Sequence, residues 1–421
     1  MPVAPAEEAL AGLQKICGDA HARPATQADA VDGVLPSIVV APASTDEVHG
    51  VLLAAGEHGL RVVPRGSGSK LGWGAPPSAV DLVLDMTRMA EVLEHTAGDL
   101  VARVQAGAPL AGLQERVAGA NQVLALDPPE PGATLGGIIA ANASGPRRLL
   151  YGTMRDLLIG VTVVLGDGTV AKAGGKVVKN VAGYDLGKLF TGSLGTLGVI
   201  TEAIVRLHPA PVARRVVTVD VDSPEHADRL VQAVIHSQLV PSAVELSWPA
   251  EGGGGLAILL EGIEPGVEAQ ASTASALLGG ALRVDDTVPG GWDERPYGPH
   301  DIGLKISAET AALAHVLDAV ATAATSAGLR GDLRSSAGSG ISYVGLAGPA
   351  DPASAAPALD RLRSALAPYD GSVVVLQAPP DVKAALDVWG PVGDALPVMR
   401  RVKDQFDPDH RMSPGRFVGG I

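Results

Sequence analysis

From residue 37 to about 211, short runs of β-branched apolar residues alternate with amphipathic helical stretches. Ser37-Ile38-Val39-Val40 reads as a strand. Ser44-Thr45-Asp46-Glu47 has capping-box chemistry and predicts a helix that ends near Gly59. Residues 61–64, 80–84 and 100–105 predict further strands, and 109–118 a helix with proline in its first turn. Residues 158–165 and 169–171 flank Gly166-Asp167-Gly168, a hairpin signal, and 199–207 closes this half as a strand. Many short strands without a regular βαβαβ rhythm predict an α+β fold.

Past His208-Pro209-Ala210-Pro211 the texture changes. Helical periodicity at 224–238, 265–278, 308–327 and 353–366 is interleaved with strand-like runs at 243–247, 256–261, 303–306, 341–346 and 372–376. That order predicts an antiparallel sheet with helices on one face, as in ferredoxin-like domains. Residues 399–421 read as a helix and a Pro/Gly-rich tail. The expected organisation is an N-terminal segment 1–36, a domain 37–211, a second domain 212–398, and a returning tail 399–421. No repeat at a fixed period is legible.

Length and composition narrow the classes. A chain of 421 residues with 46% hydrophobic content can bury a core large enough to need no staple. Its single cysteine, Cys17, excludes an internal disulfide and any cluster held by several cysteines of this chain. The net charge of −14 disfavours nucleic acid and anionic lipid as partners. MPVAPAEEAL lacks a basic region followed by an apolar run, so no leader is expected. The apolar stretch 310–329 is broken by His315 and Asp318 and reads as a buried helix, without direct membrane insertion. The ten histidines include no H-x-H or H-x-x-x-H pair, so no metal site is expected. A cytoplasmic globular protein follows.

The 53 glycines are concentrated in a few places. Pro64-Arg65-Gly66-Ser67-Gly68-Ser69-Lys70 follows a strand, and small residues there let backbone N–H groups converge on an anion. It is neither a Walker loop nor a G-x-G-x-x-G turn entering a helix. Pro131-Gly132-Ala133-Thr134-Leu135-Gly136-Gly137 runs into a helix of small residues that ends near Ser144-Gly145 and lets a flat ring approach the backbone. The third segment, Lys179-Asn180-Val181-Ala182-Gly183-Tyr184-Asp185, continues to Gly195-Thr196-Leu197-Gly198-Val199-Ile200.

In this order and spacing the three segments resemble those of FAD-linked oxidases with the vanillyl-alcohol-oxidase/p-cresol-methylhydroxylase (PCMH) type of flavin domain. Gly145-Pro146-Arg147-Arg148, Gly152-Thr153-Met154-Arg155-Asp156 and Lys176-Val177-Val178-Lys179-Asn180 are most similar to the FAD-binding (E) subunits of bacterial glycolate oxidases. The likeness is tight over 37–211, loose to 398, and returns in Phe406-Asp407-Pro408 and Ser413-Pro414-Gly415-Arg416, where Ser413 replaces the family's Asn.

The resemblance implies a PCMH-type FAD-binding domain, a ferredoxin-like second domain and a tail that returns to the first. Arg65, Gly66, Ser67, Gly68, Ser69 and Lys70 would hold the pyrophosphate. Pro131, Gly132, Ala133, Thr134, Gly137 and Ser144 would line the isoalloxazine and ribityl side, with Tyr151, Gly152 and Arg155 closing over it. Gly198, Val199 and Ile200 would face the adenine or pass beneath the flavin. Ser69 stands where members with covalent flavin carry histidine, so the FAD would be non-covalent.

A substrate carboxylate needs a bidentate cation, and Arg147, Arg148 and Arg155 are best placed for it by sequence; the alternative is an Arg pair that anchors the fold. Tyr184 is a further catalytic candidate, or else a packed aromatic. The implied function is oxidation of glycolate or a similar 2-hydroxy acid, with a second flavoprotein subunit and an iron–sulfur subunit as partners. The complex would be cytoplasmic or held at the inner face of a membrane through those partners. An electron-relay scaffold without turnover, or a stand-alone FAD oxidase of another alcohol, are the alternatives.

Overall fold

The structure, a computed structural model, describes residues 3–176 and 185–421. The first domain holds two sheets. The smaller has strands Ala22–Pro24, Ile38–Val40, Leu82–Asp85 and Val62–Arg65 in that order, the last three parallel. Helix Thr45–Glu57 covers it, started by the Ser44 hydroxyl accepting the Glu47 N–H at 3.1 Å. Val48, Val51, Leu52 and Ala55 are the apolar face of that helix, at helical spacing and fully buried. The N-terminal helix Val3–Cys17 packs beside it, with Cys17 buried.

The second sheet is antiparallel, in the order Val92–Thr96, Val101–Gln105, Val199–Arg206, Leu158–Val164 and Val170–Gly174. Gly168, at φ +87°, turns the expected hairpin, and Val164 pairs with Val170. The short helix Leu135–Ala141 lies against this sheet.

The second domain is one eight-stranded antiparallel sheet. It divides into two β-α-β-β-α-β units, each with the ferredoxin-like strand order. The first unit has strands Ala213–Val221, Ala243–Trp248, Gly254–Gly262 and Leu282–Asp285, with helices Pro224–Ile235 and Glu264–Leu278. The second has strands Ile302–Ser307, Arg330–Ser336, Ile341–Ala347 and Ser372–Gln377, with helices Leu313–Ser326 and Pro352–Leu366. Ala243–Trp248 pairs with Arg330–Ser336 and joins the units edge to edge. All four helices cover one face of the sheet in a single apolar core. The repeat that is illegible as a sequence period is therefore plain as topology.

Seven strands escape the sequence reading, three of them only two or three residues long (Ala22–Pro24, Gln122–Val123 and His208–Pro209). Arg330–Ser336, RGDLRSS, has one large apolar residue: its core face holds Gly331 and Ser335 beside Leu333, and its other face meets a polar layer between the domains. Ala213–Val221 does carry a β-branched run, VVTVDV, hidden behind the preceding prolines. Val92–Thr96 and Leu282–Asp285 are edge strands with partly or fully exposed side chains. Among the described residues no helix is long and apolar enough to cross a membrane.

The tail returns to the first domain. Helix Leu396–Phe406 delivers Lys403, whose ammonium is buried among the Asp407 carboxylate at 2.6 Å, the Thr196 carbonyl at 2.7 Å and the Met412 carbonyl at 2.9 Å. The Asp407 carboxylate also accepts the N–H groups of Arg411 and Met412. So anchored, 411–413 runs beside Val62, which donates to the Arg411 carbonyl and accepts from the Ser413 N–H. Ser413 adopts φ +44°, a left-handed turn that Asn tolerates better than Ser. Asp407→Ala would leave the Lys403 charge buried and uncompensated. A loss of about 3–5 kcal/mol in unfolding free energy is expected, read from the denaturant midpoint.

Candidate active site

A cleft of about 750 Å³ opens where strand Val62–Arg65 ends. The Arg65 guanidinium is tied to Asp29 at 3.2 Å and Asp85 at 2.7 Å, which fixes where the loop 66–70 departs. Arg23, Thr26 and Arg65 hold the Asp29 carboxyl well below the usual range, despite its burial. A Cβ on Gly66 would stand 2.0 Å from Thr134 Oγ1, so the two glycine-rich segments meet only because Gly66 lacks one. In helix Leu135–Ala141, Gly136, Gly137, Ala140 and Ala141 face the cleft, while Leu135, Ile138 and Ile139 point into the core. Leu194, Gly195, Gly198 and Ile200 form another part of the wall.

The tail adds Arg416. It donates to the carbonyls of Leu71 at 2.5 Å and Trp73 at 2.6 Å and also lines the cleft. Burial lowers its guanidinium to about 10, so it stays charged at neutral pH. Lys70 lies on the same wall, its ammonium 3.7 Å from Glu130. A narrow cleft lined by backbone, small side chains and two cations suits a flat ring joined to a diphosphate.

The expected residues separate into those that line this cleft and those that do not. Arg65, Gly66, Ser67, Gly68, Ser69, Lys70, Thr134, Gly137, Gly198 and Ile200 line it. Arg65 contributes backbone and stem, since its charge is engaged by Asp29 and Asp85. Pro131 and Gly132 are exposed, and Ala133 is buried beneath them. The Ser144 hydroxyl is buried and accepts the Met154 N–H at 3.1 Å. Tyr151 packs edge-on against His208 at 4.9 Å, and Gly152, at φ +82°, serves a turn closed against Asp156. Val199 points into the core of the first sheet. Tyr184 lies outside the described residues. Among the lining residues that the sequence did not indicate, Arg416 had a signal, the closing Ser-Pro-Gly-Arg.

The arginine pair divides. Arg147 is committed to Glu261 of the second domain by a two-pronged ion pair at 2.7 and 3.2 Å, the fold-anchoring role that was the alternative to catalysis. Arg155 is exposed at a helix end. Arg148 faces the space between the domains, where it donates to the carbonyls of Ser144 and Gly145 and reaches the Tyr343 hydroxyl at 3.3 Å.

Around Arg148 lies a polar layer with no single sequence motif. The face of the eight-stranded sheet opposite its helices presents Ser247, Arg334, Tyr343 and Lys305 in one cross-strand row. The segment 286–301 crosses this face as a strap. Gly303 and Gly345, direct partners in the sheet, make room for it: a Cβ on Gly345 would meet the Pro296 carbonyl at 1.8 Å, and one on Gly303 the Tyr297 ring at 2.9 Å. The strap lays the Arg295 guanidinium 3.6 Å from the Tyr343 ring centre and pairs it with Glu130 at 2.6 Å. Trp292 packs on Ala243 and Ala257 beside a smaller cavity of about 550 Å³ lined by Glu245, Arg334 and Arg283.

Burial dominates the electrostatics here. It pushes the Asp127 carboxyl up to about 6, against the pull of Arg147, and the Glu245 carboxyl up to about 8, against Ser336, Arg148 and Arg334. It lowers the Lys305 ammonium from its usual value, with Arg148 and Arg295 adding repulsion and Tyr343 opposing it. Arg148, Lys305 and Arg334 keep partial exposure, while Glu245 Oε1 and the Tyr343 side chain are buried.

Comparison with known proteins matches residues 36–174 to the model of the FAD binding domain family. The chain is 39% identical over 215 residues to glycolate oxidase subunit GlcD of Bacillus subtilis (strain 168), covering 50% of this chain and 45% of that protein. It is 38% identical over 154 residues to glycolate oxidase subunit GlcE of Escherichia coli (strain K12), covering 36% of this chain and 43% of that one. The chain thus spans about half the length of the curated relatives it matches. In structure it is similar to p-cresol methylhydroxylase with substrate bound, at a TM-score of 0.77 and 16% identity over 99% of this chain and 97% of that one, a likeness of fold. Residues 36–174 match the FAD binding domain family, and the whole chain shares the fold of p-cresol methylhydroxylase.

The cleft fits FAD: the pyrophosphate would lie on loop 66–70 and near Arg416, with the ring system along the small residues of helix Leu135–Ala141. Gly66→Ala should leave the fold intact, because Gly66 lies in a loop, yet force Thr134 and the loop apart. The purified variant is expected to lose most of its yellow flavin absorbance at equal protein concentration. A second expectation concerns pH. The folded-state pKa of Glu245 lies above that of the unfolded chain, so its stabilisation is full below the ordinary carboxyl range and is lost as pH rises through about 8. Thermal stability should therefore fall across that window, and Glu245→Gln should flatten the dependence by a few kcal/mol.

Proposed function

We propose that this chain is an FAD-dependent oxidoreductase subunit that oxidises glycolate or a similar small 2-hydroxy acid. The observation that carries the reading is a local excess of cations. In a chain of net charge −14, Arg148, Arg295, Lys305 and Arg334 gather around one recess where the sheet of the second domain faces the FAD binding domain. Of the carboxyls around it, Glu130 is engaged by Arg295 and Lys70, Asp127 accepts the Arg147 backbone N–H, and burial favours the protonated form of Glu245, so the cations still outnumber the carboxylates. A small carboxylate would satisfy this excess, and Arg148 and Lys305 are the groups we assign to hold it. The two relatives named as glycolate oxidase subunits support the same chemistry and a setting among partner chains.

Bound FAD supplies the two-electron acceptor. The chain's own residues position the acid, exclude bulk water with the strap, and keep the carboxylate oriented while its hydroxyl carbon faces the cleft. Loop 66–70 offers Ser69 rather than a histidine, which supports non-covalent FAD. With one cysteine the chain cannot build its own electron-transfer cluster, so we propose an iron–sulfur subunit and a second flavoprotein as partners, in the cytoplasm or at the inner face of a membrane.

The test is anaerobic absorbance of the flavin as glycolate and then D-lactate are added. Bleaching by either acid is the expected result. Arg148→Met and Lys305→Met should each raise the acid concentration needed for half-reduction by roughly tenfold to a hundredfold, the effect of losing one charged hydrogen bond. A yellow protein that no 2-hydroxy acid bleaches without partner chains would instead make this chain an electron relay. Bleaching by another alcohol alone would make it an oxidase of that alcohol.

A further inference from the structure

Oxidising a hydroxy acid also requires somewhere for the hydroxyl proton to go, and the recess offers an unusual phenol. Tyr343 lies on strand Ile341–Ala347, directly opposite Arg334 on one side and Lys305 on the other. Directly opposed side chains in antiparallel strands share a face at a Cβ separation of about 5 Å. From the FAD binding domain, Arg148 Nη2 comes within 3.3 Å of the Tyr343 hydroxyl. From the strap, the Arg295 guanidinium covers the ring at 3.6 Å. The carboxyls nearby are Glu130, held by Arg295 and Lys70, and Asp127 and Glu245, which act on Arg148 and which burial pushes toward the protonated form. Tyr297, on the same strap, lies against Gly303, and its hydroxyl finds no hydrogen-bond partner among the described residues.

The consequence for ionisation is opposite for the two phenols. Burial opposes phenolate formation at Tyr343, but Arg295, Arg148 and Lys305 outweigh it and bring the phenol down to about 8. At Tyr297 burial wins despite Arg295, and the phenol is pushed well above its usual value. Tyr151 is also raised, by burial and by Glu261. One phenol therefore matches the requirement for a general base, an acceptor poised near the working pH.

We propose that Tyr343 is the proton acceptor of this site, taking the hydroxyl proton of a 2-hydroxy acid whose carboxylate is held by Arg148 and Lys305. In that step the O–H bond breaks and its proton moves to the Tyr343 oxygen. The C=O bond forms as the C–H bond breaks and its electron pair leaves as hydride. Bound FAD, held by loop 66–70 and the small residues of helix Leu135–Ala141, would supply the two-electron acceptor that balances the step, and the proton returns from Tyr343 to solvent. This role rests on the 2-hydroxy-acid reading.

The test has a readout independent of turnover. The holoprotein is titrated upward from neutral pH and followed in the near-ultraviolet phenolate band; the chain has only five tyrosines. One phenol should ionise near 8, and Tyr343→Phe should remove that step. Lys305→Met, which deletes a facing cation, should move the step to higher pH and shift the rising limb of the flavin-reduction rate with it. Tyr343→Phe should slow flavin reduction by about a hundredfold or more while acid binding persists. The role is overturned if the early phenol survives in Tyr343→Phe, or if that variant reduces its flavin at the wild-type rate while the acid still bleaches both proteins. If no 2-hydroxy acid reduces the wild-type flavin, the substrate reading fails and the proton-acceptor role falls with it.

Discussion

An ion pair shut off from water holds the last twenty residues against the first domain, and the cleft depends on it. Lys403 and Asp407 are each only 1% exposed. Neither charge could be tolerated there alone, so each requires the other and the carbonyls and N–H groups that complete their shells. The same contacts run 411–413 along Val62, the strand that leads into loop 66–70. They also place Arg416 at the cleft wall, where it binds the carbonyls of Leu71 and Trp73 just beyond that loop. The tail thereby braces the start and the far side of the loop assigned to the pyrophosphate.

A second constraint is the polar layer between the domains. Buried charges are expensive unless paired, yet here Lys305 and Arg334 flank Tyr343 on one sheet face while Arg148 reaches its hydroxyl from the first domain. The structure holds this arrangement from outside. Arg147 ties the FAD binding domain to Glu261, Arg295 ties the strap to Glu130, and Lys383 ties the end of the second domain to Asp32 and the Gly72 carbonyl. These three bridges join the second domain to the first with closed charge pairs, and the excess positive charge stays with Arg148, Lys305 and Arg334. A site that binds an anion gains from that excess, because the ligand completes a pairing that the fold leaves open.

The strap shows how a backbone requirement becomes a functional one. Gly303 and Gly345 lie opposite each other on strands Ile302–Ser307 and Ile341–Ala347 and share a face with Lys305 and Tyr343. Without side chains they form a trough that seats Pro296 and Tyr297. That seating brings Arg295 over Tyr343. The ionisation of one phenol is thus set partly by the absence of two Cβ atoms a pair of residues away.

Local signals carried the first domain well. Capping at Ser44, the Gly166-Asp167-Gly168 turn and the glycine loop 66–70 each follow from short-range backbone chemistry, and each is present. The closing Ser-Pro-Gly-Arg was legible too, because a motif stands in consecutive residues. The sequence was silent where a residue's role depends on its neighbours in space. Strand Arg330–Ser336 shows little alternation, because its core face carries Gly331 and Ser335 beside a single large apolar residue, Leu333, and its other face carries Arg334 toward the polar layer. Arg147 and Arg148 are adjacent and chemically identical, yet one closes a salt bridge and the other faces the recess, because Glu261 lies within reach of only one guanidinium. Tyr343 and Lys305 belong to separate strands and Arg295 to a strap, so their convergence exists only after the sheet has paired in register. Periodicity, turns and phosphate loops are properties of neighbours along the chain; the charge around a buried phenol is a property of neighbours through space.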